Sequence, residues 1–306
     1  MEILEVTQPG PHSTIQDGGR FGFRSFAIPQ SGCLDPQLQS VANYLAGRPH
    51  GDPVIEIIGG RFSAKCLTPV AVGVAGVDMR CLVNEERVEP LQSLSLNKGD
   101  ELVIESRLAY LAVGGSLEDI VHFGSFSTYL LAKLGRRLLK RRNRISVKST
   151  VPVERKVTMD VLPSIQHPMV IRMLKGPEWE GVKIPAADFE HLQWRISVQS
   201  NRIGIRLNGE AVPMSFEEMV SVPTFPGTVQ LPPDGQPIVL MNDGQTTGGY
   251  PRIGQVIKAD LPRLARVMVG GTIRFKFVSI DEARYIHQHQ QAFLLLGMGE
   301  STEREI

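Results

Sequence analysis

The sequence predicts a mainly β protein with two domains and a few short helices. Short apolar and β-branched runs recur along the chain, and glycine, proline and asparagine separate them, as turns separate strands. A length of 306 residues allows two domains that each bury a core. Late in each half a glycine turn precedes an alternating strand, at residues 97–104 and 268–275, which indicates two related β domains.

The strands predicted in the first half are 3–6, 54–58, 70–74, 94–96, 102–104 and 108–113. One helix stands out between the first two strands. Asp35 can cap it, Pro36 suits its first turn, and apolar residues share one face before Gly47. The strands predicted in the second half are 170–174, 196–198, 203–207, 238–241 and 272–278, and residues 281–296 have a helical pattern.

A basic segment marks the predicted domain boundary. Residues 133–148 read KLGRRLLKRRNRISVK, with eight basic residues and no acidic one, and a polar, proline-containing stretch follows. We therefore predict an N-terminal domain at 1–135, a basic junction at 136–166 and a C-terminal domain at 167–306. The basic run is a phosphate or nucleic-acid contact, or else a solvated face or a docking surface for an acidic partner.

Composition limits the function classes. Lys and Arg number 33 against 32 Asp and Glu, and this near balance argues against nucleic-acid or membrane binding. Acidic residues at the start, and the absence of a long apolar run, predict a cytoplasmic protein. The three widely spaced cysteines are expected to be reduced, buried thiols.

The first glycine-rich segment covers residues 13–35. Its Gln16, Asp17, Arg20 and Ser31 offer donors and acceptors, and its glycines allow close approach to the backbone. Arg20 can hold a phosphate or carboxylate. The alternative is that Asp17 and Arg20 pair with each other to brace a turn.

Two further polar segments lie in the second half. Asn201 and Arg202 precede a strand and are expected at its rim, although Asn201 equally fits a left-handed turn position. Residues 226–252 surround an apolar strand with glutamine and threonine, which suit a neutral amide or urea-like ligand but are poor nucleophiles and bases. The candidate residues there are Gln230, Gln236, Asp243, Gln245, Thr246, Thr247 and Tyr250. The alternative is that these side chains only satisfy strand edges.

Common enzyme signatures are missing from the sequence. It contains no GxxxxGK[ST], GxGxxG, HExxH or GxSxG motif, which argues against a self-contained NTPase, dehydrogenase, zincin or α/β-hydrolase. His287 and His289 fall on different sides of a helix, so we expect no metal site there.

The same three segments resemble signature stretches of the allophanate hydrolase subunit 2 family, also called KipA-like or biotin-dependent carboxyltransferase-like. The string GTVQLPPDGQPIVLMNDGQTTGGYPRI is the most specific match, and TIQDGGRFG, PQSGCLD, AYLAVGG and SNRIGIRL agree as well. Within that family the chain most resembles the C-type subunits of bacterial 5-oxoprolinases.

This resemblance implies two cyclophilin-like β-barrel domains in a multi-subunit hydrolase that is inactive as a single chain. The partners would be a B-type subunit, which is KipI-like or of the allophanate hydrolase subunit 1 type, and an A-type subunit of the LamB/YcsF type. The assembled complex would use ATP with Mg²⁺ to open 5-oxo-L-proline to L-glutamate.

Two other functions are compatible with the resemblance. One is a carboxyltransferase acting on urea or another amide with biotin, and the other is a KipA-like regulator that binds a KipI-like kinase inhibitor. The chain departs from many relatives at Val222, where they carry Glu, and at Gly244, where they carry Arg.

The resulting site hypothesis places the polar residues of the two halves across a shared cleft. In it Arg20, Arg202 and Asp243 are catalytic, and Arg20 or Arg202 stabilises developing negative charge. The substrate-binding residues are Gln16, Asp17, Ser31, Asn201, Gln230, Gln236, Gln245, Thr246, Thr247 and Tyr250.

Overall fold

The computed structural model describes residues 1–89, 91–157, 168–215, 219–267 and 269–299. Within these residues the chain divides into two compact units. The first unit gathers residues 1–20, 31–157 and 292–299, and the second gathers 21–30 and 168–291.

The first unit is built on one ten-stranded sheet with a helix. Its elements are β1 (Glu2–Gln8), β2 (His12–Gln16), α1 (Pro36–Leu45), β3 (Val54–Cys66), β4 (Val70–Val77), β5 (Arg80–Val83), β6 (Glu86–Arg87), β7 (Leu94–Leu96), β8 (Glu101–Val113), β9 (Leu117–Glu118) and β10 (Arg144–Val147). The strand order is β6-β5-β8-β3-β1-β10-β9, while β2 pairs with β3 and β4 joins β7 to β8.

The long strands β3 and β8 form the centre of this sheet. They run antiparallel from Ile55 opposite Leu111 to Lys65 opposite Glu101. The predicted strands 102–104 and 108–113 are both parts of β8. Ser106 lies between them but does not end the strand, because its buried hydroxyl donates to the Val77 carbonyl at 2.7 Å.

Helix α1 packs directly on β4. The Asp35 carboxylate caps it by accepting from the amides of Gln37 and Leu38, so the predicted helix and its cap are confirmed. A Cβ at Gly73 of β4 would lie only 2.1 Å from the Ala42 carbonyl oxygen. This close approach requires glycine at that position.

The second unit is a closed seven-stranded barrel with flanking helices. Its strands are β11 (Met169–Lys175), β12 (Trp194–Ile196), β13 (Gly204–Asn208), β14 (Val222–Pro223), β15 (Thr228–Gln230), β16 (Ile238–Leu240), β17 (Thr247–Gly248), β18 (Arg252–Val256) and β19 (Thr272–Phe277). Its helices are α2 (Ala186–His191), α3 (Leu261–Arg266) and the part of α4 (Ile280–Gly297) up to residue 291, and short 3-10 helices lie at Arg24–Phe26 and Trp179–Gly181. The barrel order is β11-β18-β15-β16-β13-β12-β19, and β11 and β19 close it as a parallel pair. Strands β14 and β17 form a separate pair.

Aromatic side chains pack together beside this barrel. The Phe189 ring of α2 lies 5.2 Å from the Trp179 ring and 5.8 Å from the Phe275 ring, measured between centroids. Such contacts add to the burial of apolar area and fix α2 against β19.

The mainly β prediction, the barrel and the C-terminal helix are confirmed. The predicted junction at 136–166 differs from the structure in part, because β10 lies within it and pairs with β1. The end of the predicted junction, and the predicted start of the C-terminal domain at 167, lie outside the described residues. Residues 21–30 group with the second unit, although the prediction places them in the N-terminal domain.

The three cysteines are buried, as expected. Burial raises the pKa of the Cys81 thiol to about 12, so this thiol stays neutral. Among the described helices, none combines the length and apolar character needed to cross a membrane.

Substituting Gly73→Ala tests the contact between α1 and β4. We expect it to lower the free energy of unfolding by about 1–3 kcal/mol, because α1 must shift to make room for the new methyl group. Gly51→Ala is the control, since a Cβ at Gly51 meets nothing within 4 Å. Urea denaturation measures both, and equal stability of the two variants would contradict the packing.

Candidate functional site

The carboxylate of Asp17 organises the polar cluster of the first unit. It follows β2 and is buried. Oδ1 accepts from the Gly19 amide at 2.8 Å and from the Ser125 and Ser127 hydroxyls at 2.7 and 2.5 Å, and Oδ2 accepts from the Phe126 amide at 2.7 Å. These donors occupy the carboxylate, so its evident role is to brace the loop.

Two further predicted site residues, Arg20 and Gln16, contact the segment that bonds to Asp17. Arg20 is almost completely buried, and its Nη2 donates to the Ser127 carbonyl. Gln16 is also buried, and its Nε2 donates to the Thr14 hydroxyl at 3.0 Å and to the Thr128 carbonyl at 3.1 Å. Its Oε1 is a buried acceptor that has no hydrogen-bond partner among the described residues.

The loop that carries Ser31 is anchored by Glu56 and Tyr110. Ser31 is buried and has a left-handed backbone, with φ of 54°. Glu56 accepts from the Leu34 amide at 2.8 Å and from the Tyr110 hydroxyl at 2.7 Å, and the Tyr110 hydroxyl accepts from the Asp35 amide at 2.9 Å. Burial raises the pKa of Tyr110 well above its usual value, and nearby Glu56 adds to this. The tyrosine therefore stays a neutral donor.

Sequence analysis did not single out Glu56. The available signal was an acid inside the apolar run 54–58, since a buried carboxylate needs partners that the run itself does not supply. The two partners, Leu34 and Tyr110, lie 22 and 54 residues from Glu56 in the sequence.

Arg202 and Asp243 pair with each other inside the second unit. Arg202 Nε donates to Asp243 Oδ2 at 2.8 Å and Nη2 donates to Oδ1 at 3.2 Å, and both residues are buried. A bidentate pair of this kind stabilises the loops that precede β13 and follow β16. The predicted catalytic roles of these two residues stay predictions.

Gln230 and Gln245 form an amide pair, which we name from these two residues. Gln245 Nε2 donates to Gln230 Oε1 at 3.2 Å. Gln230 is buried on β15 and its Nε2 has no hydrogen-bond partner among the described residues, whereas Gln245 is exposed. The pair thus holds a buried N–H donor beneath an exposed side chain.

Short strands frame the amide pair. Thr224 donates its hydroxyl to the Gln245 carbonyl at 2.8 Å, and its amide donates to the Thr246 carbonyl at 3.0 Å. A Cβ at Gly248 would lie 2.5 Å from Gln230 Nε2, so this backbone runs directly beside the amide. Val222 lies opposite Gly248 in the β14–β17 pair, which places the apolar departure from the family pattern next to this site.

The remaining predicted residues of the second unit have other positions. Asn201 Oδ1 accepts from the Ile203 amide at 2.8 Å, which is a local turn contact. Gln236 exchanges two hydrogen bonds with the Gly209 backbone, at 2.8 and 3.1 Å. Thr247 and Tyr250 are exposed.

Two arginines that the sequence analysis did not select support the amide pair. Arg252 Nε and Nη2 donate to the two oxygens of Glu178 at 3.0 and 2.7 Å, and Nη1 donates to the Pro223 carbonyl at 3.1 Å. Arg24 donates to the Thr224 carbonyl, and its guanidinium lies 4.9 Å from the centroid of the Phe225 ring. The contacts of Arg24 with Thr224 and Phe225 explain why residues 21–30 group with the second unit.

In the first unit, Gln16, Asp17 and Arg20 contact one segment. In the second unit, the predicted residues fall into two separate pairs and several other positions. The hypothesis of a shared cleft stays a prediction. Over the described part of the chain, no group of three or more His, Cys, Asp and Glu side chains could hold a metal ion.

Comparison with known proteins identifies the family. Residues 26–277 match the family model described as carboxyltransferase domain, subdomain A and B. The chain belongs to this carboxyltransferase-domain family. The match includes the amide pair and the pairs formed by Arg202 and Arg252, but it begins after Asp17 and Arg20.

Relatives of this carboxyltransferase-family chain extend over almost its whole length. The C-type subunit of 5-oxoprolinase from Escherichia coli (strain K12) is 34% identical over 302 residues, which are 95% of this chain and 96% of that protein. The C-type subunit of 5-oxoprolinase from Haemophilus influenzae is 31% identical over 96% of both.

The fold is shared with a larger enzyme. The crystal structure of K. lactis urea amidolyase matches 99% of this chain with a TM-score of 0.89 and 23% identity. The match spans 20% of the amidolyase chain. At 23% identity, this structural similarity establishes a shared fold.

Breaking the buried pair of this carboxyltransferase-family chain should be costly. We expect Arg202→Ala to lower the free energy of unfolding by about 3–5 kcal/mol, because Asp243 would be left buried without its cation. The double variant Arg202→Ala/Asp243→Ala should lose less than the sum of the two single losses. Denaturation of all four proteins measures this, and additive losses would contradict a direct pair.

The Glu178–Arg252 pair predicts a pH dependence of stability. The hydrogen bond from Arg252 lowers the pKa of Glu178 from its ordinary value. The pair therefore stabilises the fold above the unfolded-state pKa of about 4.3, and this contribution is lost as the pH falls through the lower folded-state pKa.

We expect the stability difference between wild type and Glu178→Gln to narrow as the pH falls from about 6 to about 3. Glu180→Gln is the matched control, since Glu180 is exposed on the same short helix. Denaturation at each pH measures the difference. A gap for Glu178→Gln that is independent of pH would refute the assignment.

Proposed function

We propose that this chain is a substrate-positioning subunit of an ATP-dependent 5-oxoprolinase, which opens 5-oxo-L-proline to L-glutamate. The observation that supports this most is the end-to-end match to the C-type subunit of the E. coli 5-oxoprolinase, at 34% identity over 95% and 96% of the two proteins. A match over almost the whole of both chains favours the same role in a complex, in addition to the same fold.

The amide pair supplies chemistry that suits this substrate. A lactam presents a carbonyl acceptor and an N–H donor, and both are neutral. Gln230 Nε2 is a buried donor without a described partner, so it can donate to the lactam carbonyl once the exposed Gln245 side chain moves aside.

The charged residues suit positioning better than acid–base catalysis. Asp17 is held by four donors, and Asp243 is held by Arg202. A general base must be able to reach the proton it removes, and these carboxylates are engaged elsewhere. We therefore propose that A-type and B-type partner subunits complete the reaction, and that ATP with Mg²⁺ supplies its driving force.

Reconstitution tests the proposal. The chain is combined with its A-type and B-type partners, and 5-oxoproline-dependent ATP hydrolysis and glutamate release are measured. We expect turnover only when all three chains are present. A stable complex of the three that gives no glutamate would refute the proposed activity.

A substitution in the reconstituted complex tests the role of the amide pair. We expect Gln230→Leu to lower kcat/KM for 5-oxoproline by about tenfold or more, since a lost hydrogen bond to a buried polar group costs about 1–3 kcal/mol. Gln199→Ala is the control, because Gln199 is exposed near the start of β13. Unchanged kinetics for Gln230→Leu, with the fold intact by circular dichroism, would remove Gln230 from the site.

The second candidate function is a carboxyl transfer to urea or another amide. The family model and the fold of K. lactis urea amidolyase favour it. Gln230 Nε2 would then donate to the urea carbonyl, and biotin on another protein would carry the carboxyl group. Substituting urea and carboxybiotin for 5-oxoproline and ATP in the same assay separates the two functions.

A further inference from the structure

We propose that the basic turn of the first unit, residues 133–144, binds a ligand with adjacent phosphate groups, and that a nucleoside polyphosphate fits it best. This site is separate from the Asp17 cluster and the amide pair, and it does not rest on the proposed function.

The turn lines a concave site of suitable size. An open surface depression of about 530 Å³ is lined by Arg136, Arg137, Lys140, Arg142, Arg144 and Glu2, among others. Small-molecule sites commonly have volumes in this range. Five cations against one acid make the depression strongly positive.

Two of the five cations are already neutralised. Arg136 Nε lies 2.7 Å from an oxygen of the buried Asp119, and Arg144 pairs with Glu2. These pairs tie the turn to Asp119, which follows β9, and to Glu2 in β1.

The other three cations face solvent without an acidic partner. The side chains of Arg137, Lys140 and Arg142 are exposed and form no ion pair with any residue of the described ranges. Three like charges beside one depression repel each other unless an anion joins them. A diphosphate or triphosphate supplies that charge, and arginine binds phosphate oxygens in a bidentate manner.

The backbone of the turn is fixed before any ligand binds. Arg142 has a left-handed φ of 70°, which a long side chain rarely adopts, and its amide donates to the Val6 carbonyl at 2.7 Å. The Lys140 amide donates to Asn143 Oδ1 at 2.9 Å, and the Thr128 hydroxyl donates to the Arg136 carbonyl at 2.5 Å. A strained conformation that its surroundings maintain is typical of a binding site.

An adjoining depression favours a nucleotide over inorganic phosphate. It has a volume of about 280 Å³ and shares Arg136, Arg137 and Lys140 with the first. Its other lining includes Leu130, Leu134 and the Tyr129 ring. These apolar groups can contact a base or ribose while the phosphates lie on the cations.

Calorimetry of the whole chain tests the site. ATP, sodium tripolyphosphate and adenosine are titrated separately at about 0.15 M salt, where weak surface attraction is largely screened. We expect saturable ATP binding, and Arg137→Ala/Arg142→Ala should weaken it about tenfold or more. The matched control is Arg87→Ala/Lys98→Ala, which removes two exposed cations outside the depression.

The three ligands distinguish the source of the phosphates. Tighter binding of ATP than of tripolyphosphate supports the nucleotide, whereas equal binding supports the phosphate site and overturns the nucleotide assignment. No saturable binding of either, or equal weakening by the control pair, would overturn the site itself. Melting temperatures confirm that each variant is folded.

Discussion

The buried carboxylate of Asp17 is the interaction on which the polar architecture of the first unit depends. A buried carboxylate needs hydrogen-bond donors, and Asp17 meets this requirement by fixing residues 125–127. That segment, with Thr128, in turn accepts from Arg20 and Gln16 on one side. Through Thr128 it also contacts the backbone of Arg136, so the Asp17 cluster and the basic turn share one support.

The requirement that charged side chains be hydrogen-bonded also applies in the second unit. Arg202 is bonded to Asp243, and Arg252 is bonded to Glu178. Arg202 and Asp243, which the sequence-based hypothesis makes catalytic, are thus bonded to each other, and the two ion pairs hold loops around the amide pair. Gln230 Nε2 is a neutral donor without a partner among the described residues, so recognition of an amide explains this site better than acid–base catalysis.

Local patterns in the sequence predict local structure well. The cap of α1, the helix α4 and most strands follow from residues that lie within a few positions of one another. No local pattern in the sequence predicts the contacts between residues that lie far apart along the chain. The hydroxyl donors to Asp17 come from 108 and 110 residues away, and Thr224, which holds Arg24, lies 200 residues from it. The sequence therefore selects Asp17 as polar and important, but it does not show whether the carboxylate binds a ligand or braces a loop.

The two candidate binding sites differ in their physical basis, and salt separates them. Hydrogen bonds between the neutral Gln230 amide and the lactam group involve no net charge, and the rest of 5-oxoproline carries a single carboxylate, so added salt should weaken its binding only slightly. Attraction of phosphates to Arg137, Lys140 and Arg142 acts between charges near solvent and is screened over about 8 Å at physiological ionic strength. Raising the salt concentration should therefore weaken the binding of ATP, which carries several negative charges, much more than the binding of 5-oxoproline. An equal loss of affinity for both ligands would contradict the recognition of 5-oxoproline through its neutral lactam group.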